Sequence, residues 1–410
     1  MSVKDKDILF LCQFFYPEYV SSATLPFDTA KFLVEGGYKV GALCGYPKEY
    51  NDSKTDIPKR ETVCGIDITR VKYVQLDRKK VIGRIINYFS FVAAAIFAIS
   101  KAKHYKTVIV YSNPPLLPLV AMMCKKFYGC KIVFVSYDVY PELAIKTGTI
   151  SSDGIMAKCF RFINKHFLKK VDKVVALSED MKKFLVENRD ITEENVVVIP
   201  NWYEDKANET VEKTDILNMI DDEEFVISYL GNLGTCQDEK SILELAKSIP
   251  SDARVCFLVA GHGNKMEFLK DSVEKEGISN IIILPFLHGQ DYETVLKRSN
   301  MFMATLVKGT QGLCAPSKIY AYLMSGKPVL LSVDNEMEIA QDIIINNAGI
   351  LMENVPIVQI VKEILSLKDN EELLVQMGGN ARKLFLKKYE MSTCLFIYKK
   401  MFEDILKESK

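Results

Sequence analysis

One stretch constrains this chain more than any other: Gly309-Thr310-Gln311-Gly312-Leu313-Cys314-Ala315-Pro316-Ser317-Lys318, continued by Ile319 to Gly326 and Lys327-Pro328-Val329-Leu330-Leu331. Gly309 and Gly312 mark a loop that can take unusual dihedrals or approach a ligand closely. Pro316 suits the first turn of a helix and Gly326 its end, which predicts a helix of about ten residues. Pro328 forbids further helix, and the apolar run after it reads as a buried parallel strand. A glycine loop that opens a helix presents free backbone N–H groups and the positive end of the helix dipole, a ready anion site. Lys318 adds a point charge in the first turn. The stretch therefore reads as the diphosphate pocket of a nucleotide ligand. An ordinary loop–helix–strand unit with a surface lysine satisfies the same spacing.

The remaining chain repeats this grammar. With 410 residues it is too long for one typical core, so two domains are expected. Ile8–Cys12 reads as the first strand of a parallel sheet and Lys39–Cys44 as the second. Between them a helix runs to about Glu35, with Ser21, Ser22 and Thr24 as N-cap choices. Thr107–Ser112, Lys131–Val135 and Lys173–Ser178 are further strands, and Val196–Trp202 completes the first domain. The loop at Ser21-Ser22, the turn at Asn113-Pro114-Pro115 and the loop Ser136-Tyr137-Asp138-Val139-Tyr140-Pro141-Glu142 all fall at the sheet's C-terminal edge, where open α/β folds bind ligands. Asp138 and Glu142 are the acidic residues of that last loop. Either could accept a proton from an acceptor hydroxyl; a turn-capping Asp138 and a solvated Glu142 are the structural alternative.

Residues 203–222 are polar and acidic and read as a linker. Phe225–Leu230 restarts a parallel sheet and ends in Gly231-Asn232-Leu233-Gly234-Thr235-Cys236-Gln237-Asp238, a second glycine loop before a helix. Val255–Ala260 ends in Gly261-His262-Gly263, and Ile281–Leu284 in Pro285-Phe286-Leu287-His288. His262 fits a turn better than a catalyst. A last strand at Ile350–Met352, helices over about 355–367 and 370–387, and a helix from Ser392 finish the chain.

Charge divides the chain. Residues 1–200 carry 30 Lys and Arg against 21 Asp and Glu, and residues 201–410 carry 23 against 32. A basic half points to an anionic partner, nucleic acid or a membrane leaflet. The basic residues are not interleaved with an RNA or DNA motif, which leaves the membrane. Lys54, Lys59, Arg60, Arg70, Lys72, Arg78, Lys79, Lys80 and Arg84 precede a charge-free run from Ile85 to Ile99. Fifteen residues of helix cover about 22 Å, short of the ~30 Å hydrocarbon core, so a spanning helix is rejected. The run reads either as a buried helix or as one lying at a membrane face. The basic helix predicted over 153–170 reads as a solvated face. Ten cysteines without a C-x-x-C pair and four dispersed histidines give no metal or disulfide framework. No secretory signal opens the chain, because charged Lys4 to Asp7 precede the first apolar run. A cytoplasmic protein, peripheral at the inner face of the membrane, is the expectation.

Pro316-Ser317-Lys318-Ile319-Tyr320, followed by Leu323-Met324-Ser325-Gly326-Lys327-Pro328-Val329, resembles the donor-site signature of retaining GT-B glycosyltransferases of family 4, in the branch that builds bacterial surface polysaccharides. The Ser-Asn-Pro-Pro turn and the Asp-Val-Tyr-Pro-Glu loop look like its aminosugar-transferase members. The resemblance runs from Phe15 to about Tyr389. It implies two Rossmann-like α/β domains facing across a cleft: 1–202 for the acceptor, the linker, 223–388 for the donor, and 389–410 crossing back onto the first domain. It implies a nucleotide-sugar donor, UDP-linked, held by Gly231, Asn232, Gly234, Gln237, Gly261, Gly263, Phe286, Pro316, Ser317 and Lys318. The acceptor, a polyprenyl-diphosphate-linked saccharide, would meet Ser21, Ser22, Asn113 and Tyr140, with Asp138 and Glu142 as catalytic candidates. No Asp-x-Asp metal motif accompanies the glycine loops, so neither a cofactor nor an obligatory metal is expected. The family's two glutamates, separated by seven residues, are replaced by Leu313 and Ala321, and the usual cation after the first loop by Thr235. A sugar-nucleotide epimerase of the same fold, or a scaffold that binds a partner transferase, would share these features.

Overall fold

The structure, a computed structural model, describes residues 4–48, 56–77, 81–211, 214–222 and 224–407. They divide into two compact units. The first takes in the described residues of 1–200, 312–315 and 394–410, the second those of 201–311 and 316–393. Of the basic cluster before the apolar run, Lys54, Arg78, Lys79 and Lys80 lie outside the described residues.

The first unit is built on strands β1 (Lys6–Leu11), β2 (Val40–Gly45), β3 (Arg60–Val63), β4 (Ile66–Val71), β5 (Tyr105–Tyr111), β6 (Lys131–Ser136), β7 (Lys173–Ala176) and β8 (Val196–Val198). They form one sheet in the order β3–β4–β2–β1–β5–β6–β7–β8, parallel except for β3 against β4. The central strands are continuous apolar runs because helices cover both faces of the sheet. Those helices are α1 (Ser21–Glu35), α2 (Val81–Phe97), α3 (Leu117–Tyr128), α4 (Glu142–Lys146), α5 (Ile155–Leu168) and α6 (Glu179–Asn188). The sheet runs to one side through β2 and to the other through β5, so its topological switch point lies between β1 and β5.

Three sequence expectations change here. The 54–84 stretch holds a hairpin, β3 and β4, turned at Cys64 and Gly65, whose φ angles of 49° and 77° are those of a type I′ turn. Helix α1 is preceded by Val20 without a side-chain cap, so Ser21 and Ser22 are its first residues rather than its caps. The apolar run begins earlier, at Val81, and is amphipathic: Phe91, Val92 and Ala95 are buried while Ile82, Ile86, Phe89 and Phe97 are exposed. Among the described residues, no helix is long and apolar enough to cross a membrane.

The second unit has strands β9 (Phe225–Asn232), β10 (Val255–His262), β11 (Ile281–Leu284), β12 (Met301–Thr305), β13 (Val329–Ser332) and β14 (Gly349–Leu351), all parallel in the order β11–β10–β9–β12–β13–β14. Its helices are α7 (Glu239–Ser248), α8 (Met266–Glu276), α9 (Gly289–Arg298), α10 (Ile319–Met324), α11 (Glu338–Ile345), α12 (Ile357–Lys368), α13 (Glu371–Leu384) and the first turn of α14 (Met391–Lys407). Phe257, Val259, Ile242, Leu245, Met303 and Ile364 belong to its buried core. Here the switch point lies between β9 and β12, the two strands that feed the glycine loops. The stretch read as a linker belongs to this unit: Tyr203 N–H donates to Tyr389 O at 3.2 Å, and Arg382 pairs with Asp205 at 2.5 Å. From Cys394 onward α14 belongs to the first unit, where Lys131 Nζ donates to Ile405 O at 2.9 Å.

Candidate functional site

In the second unit the loop after β9 is shaped by close backbone approach. Gly231 pairs with Gly261 on β10, and a Cβ at Gly261 would stand 1.8 Å from Gly231 O, so only glycine fits. Gln237 turns back to accept from Gly234 N–H at 2.9 Å, and Asp238 caps α7 by accepting from Lys240 N–H. Lys318 reaches over from the loop after β12. Its Nζ donates to Tyr229 Oη at 2.6 Å and to Asn232 O at 3.1 Å, and lies 4.1 Å from the Tyr229 ring centroid. A Cβ on Gly231 would come within 3.7 Å of Lys318 Cε. Desolvation there pulls the Lys318 ammonium down to about 7. On the far side, Phe286 carries His262 edge-on at 4.9 Å and His288 at 6.4 Å between ring centroids.

The signature loop differs from its sequence reading. The helix after Pro316 is α10, six residues long, and Lys318 is its N-cap rather than part of its first turn. The Gly309 and Gln311 N–H groups, expected to be free for a diphosphate, both donate to the Asp334 carboxylate, at 2.9 and 3.0 Å. Gly312, counted with the first unit, donates to Asp180 Oδ2 at 2.8 Å. The Gly309, Gln311 and Gly312 amides are therefore already engaged within the fold, which leaves Lys318 and the β9 loop as the candidate anion-binding groups.

In the first unit a small, partly open cavity lies at the C-terminal ends of β5 and β6. Ser112, Ser136, Asp138, Tyr140, Asn164 and Arg189 are among its lining. The Ser112 hydroxyl accepts from the N–H groups of Tyr137 and Asp138, at 3.0 and 3.1 Å, and so fixes the loop that carries Asp138. Desolvation raises the Asp138 carboxyl to about 6, and among the described residues no cation pairs with it. Glu142 is engaged: its carboxylate forms an ion pair with Arg189, which also donates to Tyr140 O. The two acidic candidates are thus unequal, one unpaired in the cavity wall and one held at the start of α4. At the switch point, Asn113 Oδ1 is buried without a hydrogen-bond partner among the described residues, and so are both amide atoms of Gln13, a residue only 2% exposed. Among the described residues, no group of three His, Cys, Asp or Glu is placed to hold a metal ion.

Comparison with known proteins bears on both units. Residues 24–206 match the family model described as Glycosyltransferase Family 4, and residues 212–384 match that of Glycosyl transferases group 1. This chain is a GT-B glycosyltransferase of family 4. It is 23% identical to the probable glycosyltransferase WbjE of Pseudomonas aeruginosa over 84% of this chain and 86% of that protein. It is 22% identical to the putative colanic acid biosynthesis glycosyl transferase WcaI of Escherichia coli, over 63% and 65% of the two chains. The crystal structure of HepE of Anabaena in complex with UDP and glucose has the same fold, with a TM-score of 0.72 at 13% identity, covering 97% of this chain and all of that one.

Within this glycosyltransferase, the residues standing for the family's paired glutamates bring no carboxylate. Ala321 is buried on α10, and Leu313 O accepts from Val139 N–H at 2.8 Å. Three residues to which sequence reasoning gave no site role also shape the sites, among them Arg70, which the sequence counts in the basic cluster. Tyr322 accepts from Leu230 N–H at 2.8 Å, donates to Leu230 O at 3.1 Å and stacks on Phe302 at 4.3 Å, which locks the signature helix to β9 and β12. Arg70 is fully buried and donates to Tyr16 O at 2.8 Å and Pro58 O at 3.0 Å, tying the loop after β1 to the hairpin. Gln13 is the third. Its signal was available, as a lone amide at the end of an apolar strand.

Proposed function

We propose that this glycosyltransferase moves a hexosyl or N-acetylhexosaminyl group, with retention at the anomeric carbon, from a UDP-linked donor to a lipid-linked saccharide in capsule, O-antigen or exopolysaccharide synthesis. The observation that carries the reading is Lys318 poised over Gly231 and the Asn232 carbonyl, at the second unit's switch point. A cation there meets the leaving diphosphate and stabilises the charge that builds as the glycosidic bond breaks. Phe286 with its flanking histidines suits the base end of the nucleotide. Pro316 and Ser317 place Lys318. UDP in HepE and the colanic acid assignment of WcaI support the donor and pathway classes. No resident cofactor or obligatory metal enters this mechanism.

In the first unit Asp138 is the better-placed acid–base group, since its raised carboxyl is poised nearer neutrality than an ordinary aspartate. Glu142, paired with Arg189, orders the loop beside it. Ser21, Ser22, Asn113 and Tyr140 face the acceptor. The enzyme works at the cytoplasmic leaflet, held there by the basic first unit and the apolar face of α2.

Thermal unfolding with UDP, GDP, ADP and dTDP, in the presence of EDTA, tests the donor assignment. Selective stabilisation by UDP, lost in Lys318→Ala, is expected. A shift with another nucleotide replaces UDP as the donor base, and no shift with any of the four removes the transferase reading in favour of a binding scaffold.

A further inference from the structure

Helix α5 was expected to show a solvated basic face, and its surface is of another kind. From Ile155 to Lys170 it carries Lys158, Arg161, Lys165, His166, Lys169 and Lys170 and no acidic residue. The same surface exposes large apolar groups: Ile155 is 88% and Phe162 64% exposed, and Met156 is exposed as well. Asp153 stands before the helix, and Asp190 lies 3.9 Å from Lys169; the remaining cations of α5 form no ion pair among the described residues. A solvated helix face has no use for exposed Ile and Phe, and a protein-core face has no use for five strong cations. Apolar side chains rimmed by Lys and Arg are what an interfacial helix presents to an anionic bilayer.

Two further facts place this surface. Helix α3 packs against both α2 and α5, so all three lie on one face of the sheet. A crossover helix runs antiparallel to the strands it joins, so α2, between β4 and β5, and α5, between β6 and β7, both begin at the sheet's C-terminal edge. The exposed Ile82, Ile86 and Phe89 of α2 and Ile155, Met156 and Phe162 of α5 therefore sit toward the edge that carries the Asp138 cavity. The inner side of α5 forms part of that cavity's wall: Asn164 Nδ2 donates to Tyr140 O at 2.6 Å, and Leu168 lines the space beside it.

We propose that α5, with the N-terminal half of α2, docks the enzyme on an anionic lipid leaflet, so that one helix both faces the headgroups and walls the acceptor cavity. The geometry suits an acceptor whose lipid stays in the leaflet while its saccharide enters beside Asp138, and in that respect it rests on the function proposed above.

The test is co-sedimentation of the full chain with vesicles of phosphatidylcholine alone and of phosphatidylcholine with phosphatidylglycerol, at low and high salt. Binding only to the anionic vesicles, weakened by salt, is expected. The pair Lys158→Glu and Lys165→Glu should lower partitioning roughly tenfold or more, and the pair Ile155→Ser and Phe162→Ser should lower it with little change in its salt dependence. Retained stabilisation by nucleotide shows that each variant is folded. Equal binding to both vesicle types, or full binding by the charge-reversed pair, overturns the proposal. So does a parent protein that binds neither vesicle and whose self-association is abolished by the α5 variants, which would make the face a contact between copies. Vesicle binding without any nucleotide response would remove the transferase reading and leave this one standing.

Discussion

The two units solve the same topological problem differently. Each places loops at a switch point, between β1 and β5 in the first and between β9 and β12 in the second. In the second unit many polar groups of those loops satisfy one another, although Asn335 Oδ1, beside Asp334, has no partner among the described residues. Gln237 holds Gly234, Asp334 holds Gly309 and Gln311, Thr310 Oγ1 donates to Val307 O, and Lys265 pairs with Glu239. Among the described residues, Lys318 has neutral partners only. In the first unit the Gln13 amide, Asn113 Oδ1 and the Asp138 carboxyl, which has no cation beside it, are unpaired among the described residues. Leaving a buried polar atom unpaired costs on the order of 1–3 kcal/mol, so such atoms call for a partner such as an ordered water or a ligand. On the function proposed above, the donor side is largely preformed, and the acceptor side holds hydrogen-bonding capacity that the described residues do not consume.

The sharpest way to break this contrast is to neutralise Asp138. Asp138→Asn keeps the shape and removes the proposed acid–base function, so transfer should fall by about 10²–10⁴-fold while UDP stabilisation stays unchanged. Sugar transfer from a UDP-sugar panel, measured beside thermal shift, reads both. Loss of nucleotide response in this variant would mean that the two sites are not separable. Glu142→Gln serves as the control: it breaks a partly buried ion pair, so it should lower the melting temperature more than Asp138→Asn does.

A smaller effect concerns Lys318. Its ammonium is held down to about 7, below the ordinary lysine value, by desolvation. Above that pH the free enzyme carries a neutral amine there, while a bound diphosphate favours the charged form. Nucleotide binding should therefore take up a proton, and UDP affinity should fall as pH rises above about 7, by up to about tenfold per unit. Calorimetry in buffers of different ionisation enthalpy measures the uptake directly. The proton linkage should vanish in Lys318→Ala; its persistence there would assign the titration to another group.

Much of this was legible in the sequence. Most of the parallel strands are buried apolar runs, and that rhythm places the loops after them. What sequence could not show was which partners the loop groups would choose. Asp334 lies more than twenty residues beyond the Gly309 and Gln311 amides it takes up, and Asp180 lies before the second unit begins. Local reasoning counts a glycine loop's N–H groups as free, and only folding shows a distant carboxylate already on them. The hairpin β3–β4 hid for the opposite reason. Its outer strand is exposed, so charge masked the alternation of Ile66, Ile68 and Arg70, whose inward side chains set its register. On α5 the basic residues drew attention from the Ile and Phe between them, since exposure is a property of the fold rather than of the spacing.

The smallest predicted effect separates a waiting amide from a merely misfitted one. Gln13→Leu and Gln13→Met replace two unpaired polar atoms in a buried position with apolar ones of similar size. If the amide awaits an acceptor hydroxyl, the free protein should gain stability by about 1 kcal/mol, because the unmet desolvation cost disappears. Transfer should fall at the same time through a raised KM for the acceptor, with donor hydrolysis unchanged. Chemical denaturation and initial-rate kinetics read these two arms separately. A variant that loses stability shows that Gln13 is satisfied inside the fold, through ordered water, and serves packing. A variant that gains stability and keeps its acceptor KM shows that the amide is a tolerated cost of the loop. In either case the acceptor contacts would have to come from Asn113 and the Asp138 cavity, and the contrast between the two switch points would narrow to Asn113 Oδ1 and the Asp138 carboxyl.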